Sequence, residues 1–297
     1  MENTRKSEVK ESIKEYKYEI LLGLLIMGTI FYSLYKKYFN NSIITKQSSI
    51  PNNIHFVFGL KQQNEEFLFS YFLAIYSAWT LNKPDKIYFY YHYEPYGEWF
   101  DKIKEIPNIV FEKVDIPTHI GKKSLFKIAH KADIVRMEKL IERGGIYMDM
   151  DTISVRSYTH LLDNDVVLGK EGDYGICNAI MMTKPNSEFF KIWFQNYENE
   201  FKSDGWREAS IELPRKIANQ YPKLLTLQEE DVFFLPSYYE TDKIFEKDYD
   251  IPDNLITLHL WESYSMKYMK DINPDWIQKN KHTMYSKIVS KIIGFQY

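Results

Sequence analysis

Cysteine is nearly absent from this 297-residue chain, and the single one, Cys177, excludes an intramolecular disulfide and a cysteine-rich metal site. Glycine is also sparse, at 12 residues, and forms neither Gly-x-Gly-x-x-Gly nor Gly-x-x-x-x-Gly-Lys. A phosphate group would therefore not be held by a glycine-rich loop. The formal net charge is −3, and no basic stripe is interleaved with aromatic residues, so the sequence predicts no nucleic-acid partner.

Charge is missing from one long stretch near the N-terminus, residues 20–35. Two lysines end the run. Together with the flanking tyrosines, they can bring the apolar helix to the length that is needed to span a bilayer. The pattern predicts a transmembrane helix at 20–37, between a tail at 1–19 and a polar stem at 38–49, with a globular domain at 50–297. Basic residues are more numerous before the run, which favours a cytoplasmic tail. A buried helix of a soluble protein is the alternative, and a cleaved signal peptide is disfavoured because no small-x-small site follows.

The rest of the chain alternates strand patterns with helix patterns, an order that predicts an α/β fold with a mostly parallel sheet flanked by helices. Ligands of such sheets bind beyond the carboxyl ends of the strands. Near the C-terminus, residues 276–297 indicate one amphipathic surface helix. The predicted strands are 50–58, 86–93, 109–114, a strand ending at Asp149, and 166–171; the predicted helices are 67–81 and 124–141.

Two carboxylates, Asp149 and Asp151, follow a Gly-Gly turn and a short apolar run. At the end of a buried strand, residues two apart face the same side of the pleat. A pair of hard oxygen ligands suits Mg²⁺ or Mn²⁺, cations that are often held by few carboxylates together with substrate phosphates. The alternative is an acid-rich turn without a ligand.

The preceding predicted helix carries Asp133 and Arg136, which are three residues apart and so project from one face. Its apolar face is predicted to begin at Leu125 and Ile128. A surface ion pair of little energetic value is the alternative for Asp133 and Arg136. Far downstream, His259 ends another apolar run, and it is either a metal or diphosphate contact or an ordinary packing residue.

These segments together resemble the glycosyltransferases with a DXD sugar-binding region. The pattern consists of Ala132-Asp133-Ile134-Val135-Arg136, Leu140, Gly144-Gly145-Ile146-Tyr147 and Asp149-x-Asp151. The resemblance implies a GT-A type, Rossmann-like fold and transfer, with retention of configuration, from a UDP- or GDP-sugar to a glycan, glycolipid or glycoprotein. It also implies Mn²⁺ or Mg²⁺ as the cofactor. The type II layout matches that of membrane-bound transferases of the Golgi and secretory pathway, with the catalytic domain in the lumen.

The resemblance also assigns roles to individual residues. Asp151 and Asp149 would be the catalytic metal-binding pair, with Asp151 as the direct ligand and His259 completing the shell. The donor sugar and diphosphate would contact Asp133, Arg136, Asn178, His259 and Trp261. Phe58 stands where relatives have a tryptophan near the nucleotide base, although it could equally be a core aromatic. Asn178 could be a strand-edge turn residue, and Asp173 is a weaker candidate on the acceptor side.

Two other functions remain open at the level of sequence. A HAD-type phosphatase also begins with a strand and Asp-x-Asp, but Ile153 stands where that class has threonine or valine, and Asp133 and Arg136 have no role in it. A non-catalytic, membrane-anchored sugar-binding or scaffolding relative is the second alternative.

Overall fold

The computed structural model describes residues 27–30, 32–33, 49–173 and 175–294. The chain divides into two compact units, residues 1–47 and 48–297. In the first unit, the described residues are helical. No helix among the described residues is long and apolar enough to cross a bilayer. The predicted tail, most of the predicted anchor and nearly all of the predicted stem lie outside the described residues.

The second unit alternates strands and helices as the sequence predicts. The strands are β1 (Asn53–Val57), β2 (Lys86–Tyr91), β3 (Ile109–Lys113), β4 (His119–Ile120), β5 (Lys123–Ser124), β6 (Gly145–Met148), β7 (Thr152–Ser154), β8 (Val166–Glu171), β9 (Gly175–Thr183), β10 (Thr226–Gln228) and β11 (Thr257–His259). The α-helices are α1 (Phe69–Asn82), α2 (Glu98–Lys104), α3 (Ile128–Arg143), α4 (Glu188–Glu200), α5 (Leu213–Gln220), α6 (Glu230–Phe233), α7 (Thr241–Phe245), α8 (Glu262–Met269), α9 (Pro274–Lys279) and α10 (Met284–Ile293).

Within residues 49–294, apart from 174, seven strands form one mixed sheet in the order β10-β8-β9-β6-β1-β2-β3. The pairs β1–β2, β2–β3, β1–β6 and β8–β10 are parallel. Strand β9 runs antiparallel to both neighbours because too few residues separate it from β8 for a crossover. The predicted α/β fold with a mostly parallel sheet is thereby confirmed.

Both faces of the sheet are buried, which explains why its central strands are nearly all apolar. In β6, Ile146 and Met148 belong to one core cluster, whereas Tyr147 belongs to the cluster on the opposite face. The same alternation separates Ile54 and Phe56 from their neighbours in β1. Tyr147 thus faces the side of the sheet that carries α3 and Arg136.

Two predicted helices differ from the observed ones. Helix α3 begins at Ile128, because Lys123 and Ser124 pair with Ile120 and His119 in a short hairpin just before it. The prediction that Leu125 lies on this helix was therefore wrong. The predicted single C-terminal helix was also wrong, since α9 ends before Asn280 and α10 begins after a Thr283 cap. Thr283 accepts a hydrogen bond from the backbone N–H of Ser286, which favours a new start there.

The Gly144-Gly145 turn allows β6 to lie directly beside β1. Gly145 has φ +111°, and a Cβ atom there would lie 2.5 Å from the carbonyl oxygen of Asn53 and 2.7 Å from Nε2 of His55. Gly144 has φ +64°. A side chain at either position would be strained and would also clash with neighbouring backbone atoms.

The imidazole of His55 lies beneath this turn and is expected to make folding stability depend on pH. Its Nε2 is 2.8 Å from the Gly144 carbonyl oxygen and its Nδ1 is 2.9 Å from the Tyr90 hydroxyl. Burial lowers the pKa of His55 to about 3, below the usual value of 6.5. Since the unfolded chain binds a proton between these pH values and the folded chain does not, stability should fall as the pH falls from about 6.5 towards 3.

Urea unfolding of the wild type and His55→Gln between pH 4.5 and 7.5 measures this contribution. The glutamine variant should be less stable at neutral pH, but its pH slope should be flatter by up to about 1.4 kcal/mol per pH unit. The exposed His119→Gln serves as the matched control and should keep the wild-type slope. An unchanged slope in His55→Gln would contradict the expectation.

Candidate active site

The Asp149–Asp151 segment lies between two strands that belong to different sheets. Strand β6 ends at Met148, and β7 begins at Thr152 and pairs antiparallel with β11. In that pairing Thr152 lies opposite His259, and the N–H of Leu260 donates to the Asp151 carbonyl oxygen over 2.7 Å. The small β7–β11 sheet therefore brings a residue from near the end of the chain to the two aspartates.

Asp149, Asp151 and His259 form a candidate metal centre. Each offers a ligand atom, and these atoms all lie within 4.8 Å of one another. Nε2 of His259 is 3.3 Å from Oδ2 of Asp151, which also accepts a 2.7 Å hydrogen bond from the N–H of Glu262. Asp151 and His259 are buried, and Asp149 is half-buried. Nδ1 of His259 is buried without a hydrogen-bond partner.

The two carboxylates differ electrostatically although they are close together. Burial raises the pKa of Asp149, and the charge of Asp151 adds to that rise, against the opposing effect of Arg136. Burial also penalises charge on Asp151, but the neighbouring His259 lowers the pKa of Asp151 below its usual value. Conversely, although burial acts to lower the pKa of His259, the Asp151 and Asp149 carboxylates raise it. The raised pKa values of Asp149 and His259 both mean that the site favours added positive charge, which a proton or a metal cation can supply.

Arg136 holds Asp149 from the side of α3. Its Nη1 is 3.1 Å from Oδ1 of Asp149 and donates to the carbonyl oxygen of Asn178 over 3.0 Å. Oδ1 of Asp149 also accepts a 2.6 Å hydrogen bond from the Tyr147 hydroxyl. The guanidinium carbon lies 4.6 Å from the centre of the Tyr147 ring. This cage fixes the orientation of the Asp149 carboxylate before any ligand binds.

Asp133 continues the same network, deeper in the protein. Its Oδ1 is 3.3 Å from Nη2 of Arg136 and accepts a 2.8 Å hydrogen bond from the Asn178 amide, while Oδ2 accepts one of 2.6 Å from Tyr197. Asp133 and Arg136 are only 3% and 5% exposed. The alternative of a solvated surface ion pair was therefore wrong. Tyr197 was missed because nothing in its local sequence links it to Asp133.

A cavity of about 650 Å³ opens in front of the aspartates, and Asp149 and Asp151 line it. Phe58 lines the same cavity and also packs on Phe67 and Tyr71, so it is both a wall residue and a core aromatic. Asp133, Arg136 and Asn178 do not line this cavity and lie behind Asp149 instead. Of the predicted site residues, only Phe58, Asp149 and Asp151 face the open space, and His259 does not line it.

Glu262 is a cavity residue that sequence analysis does not select. It begins helix α8 directly after Trp261, and its side chain lines the large cavity beside Asp151. Burial and the charge of Asp151 raise the pKa of Glu262 to about 7. Acidic residues are common at the start of a helix, so the residue type does not mark Glu262 as functional. The only indication in the sequence is its position three residues after His259.

Trp261 does not line the large cavity. Its ring centre lies 4.0 Å from that of His259, and its indole N–H donates to the Pro236 carbonyl oxygen over 2.8 Å. Trp261 instead lines a smaller pocket, together with Asp173. Its backbone has φ +58°, a left-handed conformation that is rare for a bulky residue. This turn directs consecutive side chains, Trp261 and Glu262, into two different cavities.

Comparison with known proteins identifies the family to which this chain is similar. The profile of the family described as "Glycosyltransferase sugar-binding region containing DXD motif" matches residues 37–168. The chain is 31% identical over 264 residues to "Glucan organizing enzyme 1" of Cryptococcus neoformans var. grubii, covering 82% of this chain and 71% of that protein.

Solved structures of glycosyltransferases are also similar, at low identity. GlyE of Streptococcus pneumoniae TIGR4 is 16% identical with a TM-score of 0.49, over 82% of this chain and 64% of that one. The galactosyltransferase LgtC, in complex with donor and acceptor sugar analogs, is 13% identical with a TM-score of 0.45, over 82% and 95%. The PaToxG glycosyltransferase is 15% identical with a TM-score of 0.41, over 90% and 98%.

The protein is a glycosyltransferase with a DXD-containing region. More particularly, it belongs to the family of glycosyltransferases with the DXD sugar-binding region, as the resemblance of its sequence motifs predicted. The phosphatase alternative is therefore wrong, and the expectation of an enzyme is confirmed.

Proposed function

We propose that the protein is a metal-dependent, retaining glycosyltransferase that moves a sugar from a UDP- or GDP-sugar to a glycan, glycolipid or glycoprotein. The observation that carries this proposal is the convergence of Asp149, Asp151 and His259, of which the two aspartates line a large cavity. A volume of about 650 Å³ suits a ligand of the size of a nucleotide sugar. Phe58 in the cavity wall is available to contact the base.

The residues fit a divalent cation such as Mn²⁺ or Mg²⁺. Two carboxylates and an imidazole are a donor set that Mn²⁺ accepts readily, whereas Mg²⁺ prefers oxygen. Asp149 and Asp151 repel one another in a buried setting, and a cation would remove that repulsion. When bound, the cation supplies Lewis-acid neutralisation of charge on the departing diphosphate, a contribution of several kcal/mol.

The chain's own residues orient the groups that touch the substrate. Arg136 and Tyr147 hold the Asp149 carboxylate, and the Glu262 N–H and His259 hold that of Asp151. Such preorganisation means that no side chain must reorient when charge develops. Asp133 and Asn178 hold Arg136 from the side away from the cavity. For Asp133 or Asn178 to contact the donor sugar directly, Asp149 or the sugar would have to move. We assign no general base, because with retention the leaving phosphate oxygen can accept the acceptor's proton.

The acceptor and the cellular setting are part of the proposal. The name of the Cryptococcus relative refers to glucan, so glucan is one acceptor to test among the glycans. The uncharged run at residues 20–35 supports attachment to a membrane, and the larger number of basic residues before it supports a type II orientation, with the domain at 50–297 in the lumen of the secretory pathway.

A thermal-shift and hydrolysis screen of the full-length chain tests this function. UDP- and GDP-sugars are presented with Mn²⁺, with Mg²⁺ or with EDTA. We expect one donor to raise the melting temperature and to be hydrolysed slowly, with both effects lost in EDTA. Folded protein that binds no donor with either metal, or that binds one equally well in EDTA, would contradict the proposal.

A further inference from the structure

A second, smaller pocket is lined by Trp261, which does not line the large cavity. It has a volume of about 150 Å³, which is too small for a nucleotide sugar and is of the scale of one sugar ring. It lies between the β8–β9 connection, α6 and the segment before α7. Its walls include Glu171, Asp173, Arg207, Glu230, Tyr238 and Trp261.

Glu171 lines the pocket and has a carboxylate oxygen that accepts no hydrogen bond. The residue is 9% exposed, and its Oε2 is buried without a hydrogen-bond partner. Its other oxygen, Oε1, is 3.7 Å from Nη1 of Arg207, which is too far for a hydrogen bond. A buried carboxylate oxygen without a donor costs free energy, so this position favours a ligand that brings an O–H or N–H group.

The charges of the pocket limit the class of ligand. Glu171, Asp173 and Glu230 face it, with Arg207 as the one cation among the described lining residues. This excess of carboxylates disfavours a phosphate or a nucleotide. Among the described residues, only Asp149, Asp151 and His259 lie close enough together to hold a metal ion, so the carboxylates here do not form a second metal site. A neutral molecule rich in hydroxyl donors fits best.

Aromatic rings supply the remaining wall. Tyr238 and Trp261 have ring centres 5.8 Å apart, and together they offer an apolar surface beside the carboxylates. A sugar ring has both features, since its hydroxyl groups donate hydrogen bonds and its C–H faces are apolar. Trp261 also packs against His259, with ring centres 4.0 Å apart and the rings tilted by 42°, so an occupant of this pocket would lie near the candidate metal centre.

We propose that this pocket binds the terminal sugar ring of the acceptor, with Glu171 and Glu230 accepting hydrogen bonds from its hydroxyl groups and Trp261 packing on its face. The inference rests on the proposed transferase function and adds where the acceptor enters. Glu230 and Glu171 would bind the acceptor directly, and neither belongs to the candidate metal group of Asp149, Asp151 and His259.

The test compares Glu230→Gln and Glu171→Gln with Glu229→Gln in the full-length chain. Glutamine keeps the shape, and its amide oxygen can still accept the hydrogen bond that Glu230 receives from the Gly172 N–H. Glu229 is the matched control, because it adjoins Glu230 but is exposed and pairs with Lys170. The probes are methyl α- and β-glycosides of glucose, galactose, mannose and N-acetylglucosamine, followed by saturation-transfer NMR with UDP or GDP and Mn²⁺ present.

We expect the wild type and Glu229→Gln to bind at least one glycoside, and each pocket variant to bind it about tenfold more weakly or worse. Metal-dependent binding of the nucleotide, followed by thermal shift, should persist in all four proteins. Undiminished glycoside binding by both pocket variants, or no glycoside binding by a wild type that binds nucleotide and metal, would overturn the inference. Failure of the wild type to bind nucleotide with metal would instead count against the proposed function itself.

Discussion

Replacement of Asp151 by asparagine is expected to reduce metal-dependent turnover of the donor by about 10²- to 10³-fold. Asparagine keeps the shape of the side chain and can still accept the hydrogen bond from the Glu262 N–H. It removes a negative charge from a buried position where that charge also favours the protonated form of His259. Several kcal/mol of transition-state stabilisation by a bound cation corresponds to a loss of this size.

The measurement is kcat/KM for donor hydrolysis over a range of Mn²⁺ concentrations. The variant should also require more Mn²⁺ for half of its maximal rate, because one anionic ligand is lost. The exposed Asp101→Asn is the matched control, since Asp101 pairs only with exposed lysine on helix α2 and should not affect either value. A folded Asp151→Asn variant with wild-type turnover and metal dependence would rule out the proposed metal centre.

Replacement of Arg136 by methionine is expected to destabilise the fold by about 3–5 kcal/mol. The guanidinium is 5% exposed and lies within 3.3 Å of Asp133 and within 3.1 Å of Asp149. Methionine fills much of the same volume and is a good helix former, so the loss would come from the two carboxylates left without their cation. Burial already disfavours charge on Asp149, and without Arg136 the pKa of Asp149 should rise further.

Urea unfolding of Arg136→Met at neutral pH measures this loss, with Lys131→Met on the same helix as the control. Lys131 is half-buried and is not part of the network around Asp149, so its replacement should cost little. The double variant Asp133→Asn/Arg136→Met should recover part of the lost stability, since one unpaired charge is removed as well. A loss below about 1 kcal/mol, or no recovery in the double variant, would contradict a stabilising role for the buried pair.

Local sequence patterns were sufficient for much of the fold. The strand that leads to Asp149 follows from a short apolar run after a Gly-Gly turn, and the structure gives β6 at Gly145–Met148. The start of α3 was less predictable, because the β4–β5 hairpin pairs residues that would also continue the helical pattern. The break between α9 and α10 depends on the C-cap residue Asn280 and the N-cap residue Thr283. The spacing of apolar residues alone does not reveal such capping residues.

The sequence by itself determined the class of enzyme, the Asp149–Asp151 pair and the alternation of strands and helices, since these depend on residues close together in the chain. Only the tertiary structure decided that His259 meets Asp151, that the Asp133–Arg136 pair is buried, and that Trp261 and Glu262 face different cavities. The physical reason is that the β7–β11 pairing, the place of β9 within the main sheet and the packing of α3 on that sheet join residues far apart in sequence. Local periodicity carries no information on such contacts, which form only when the sheet is assembled.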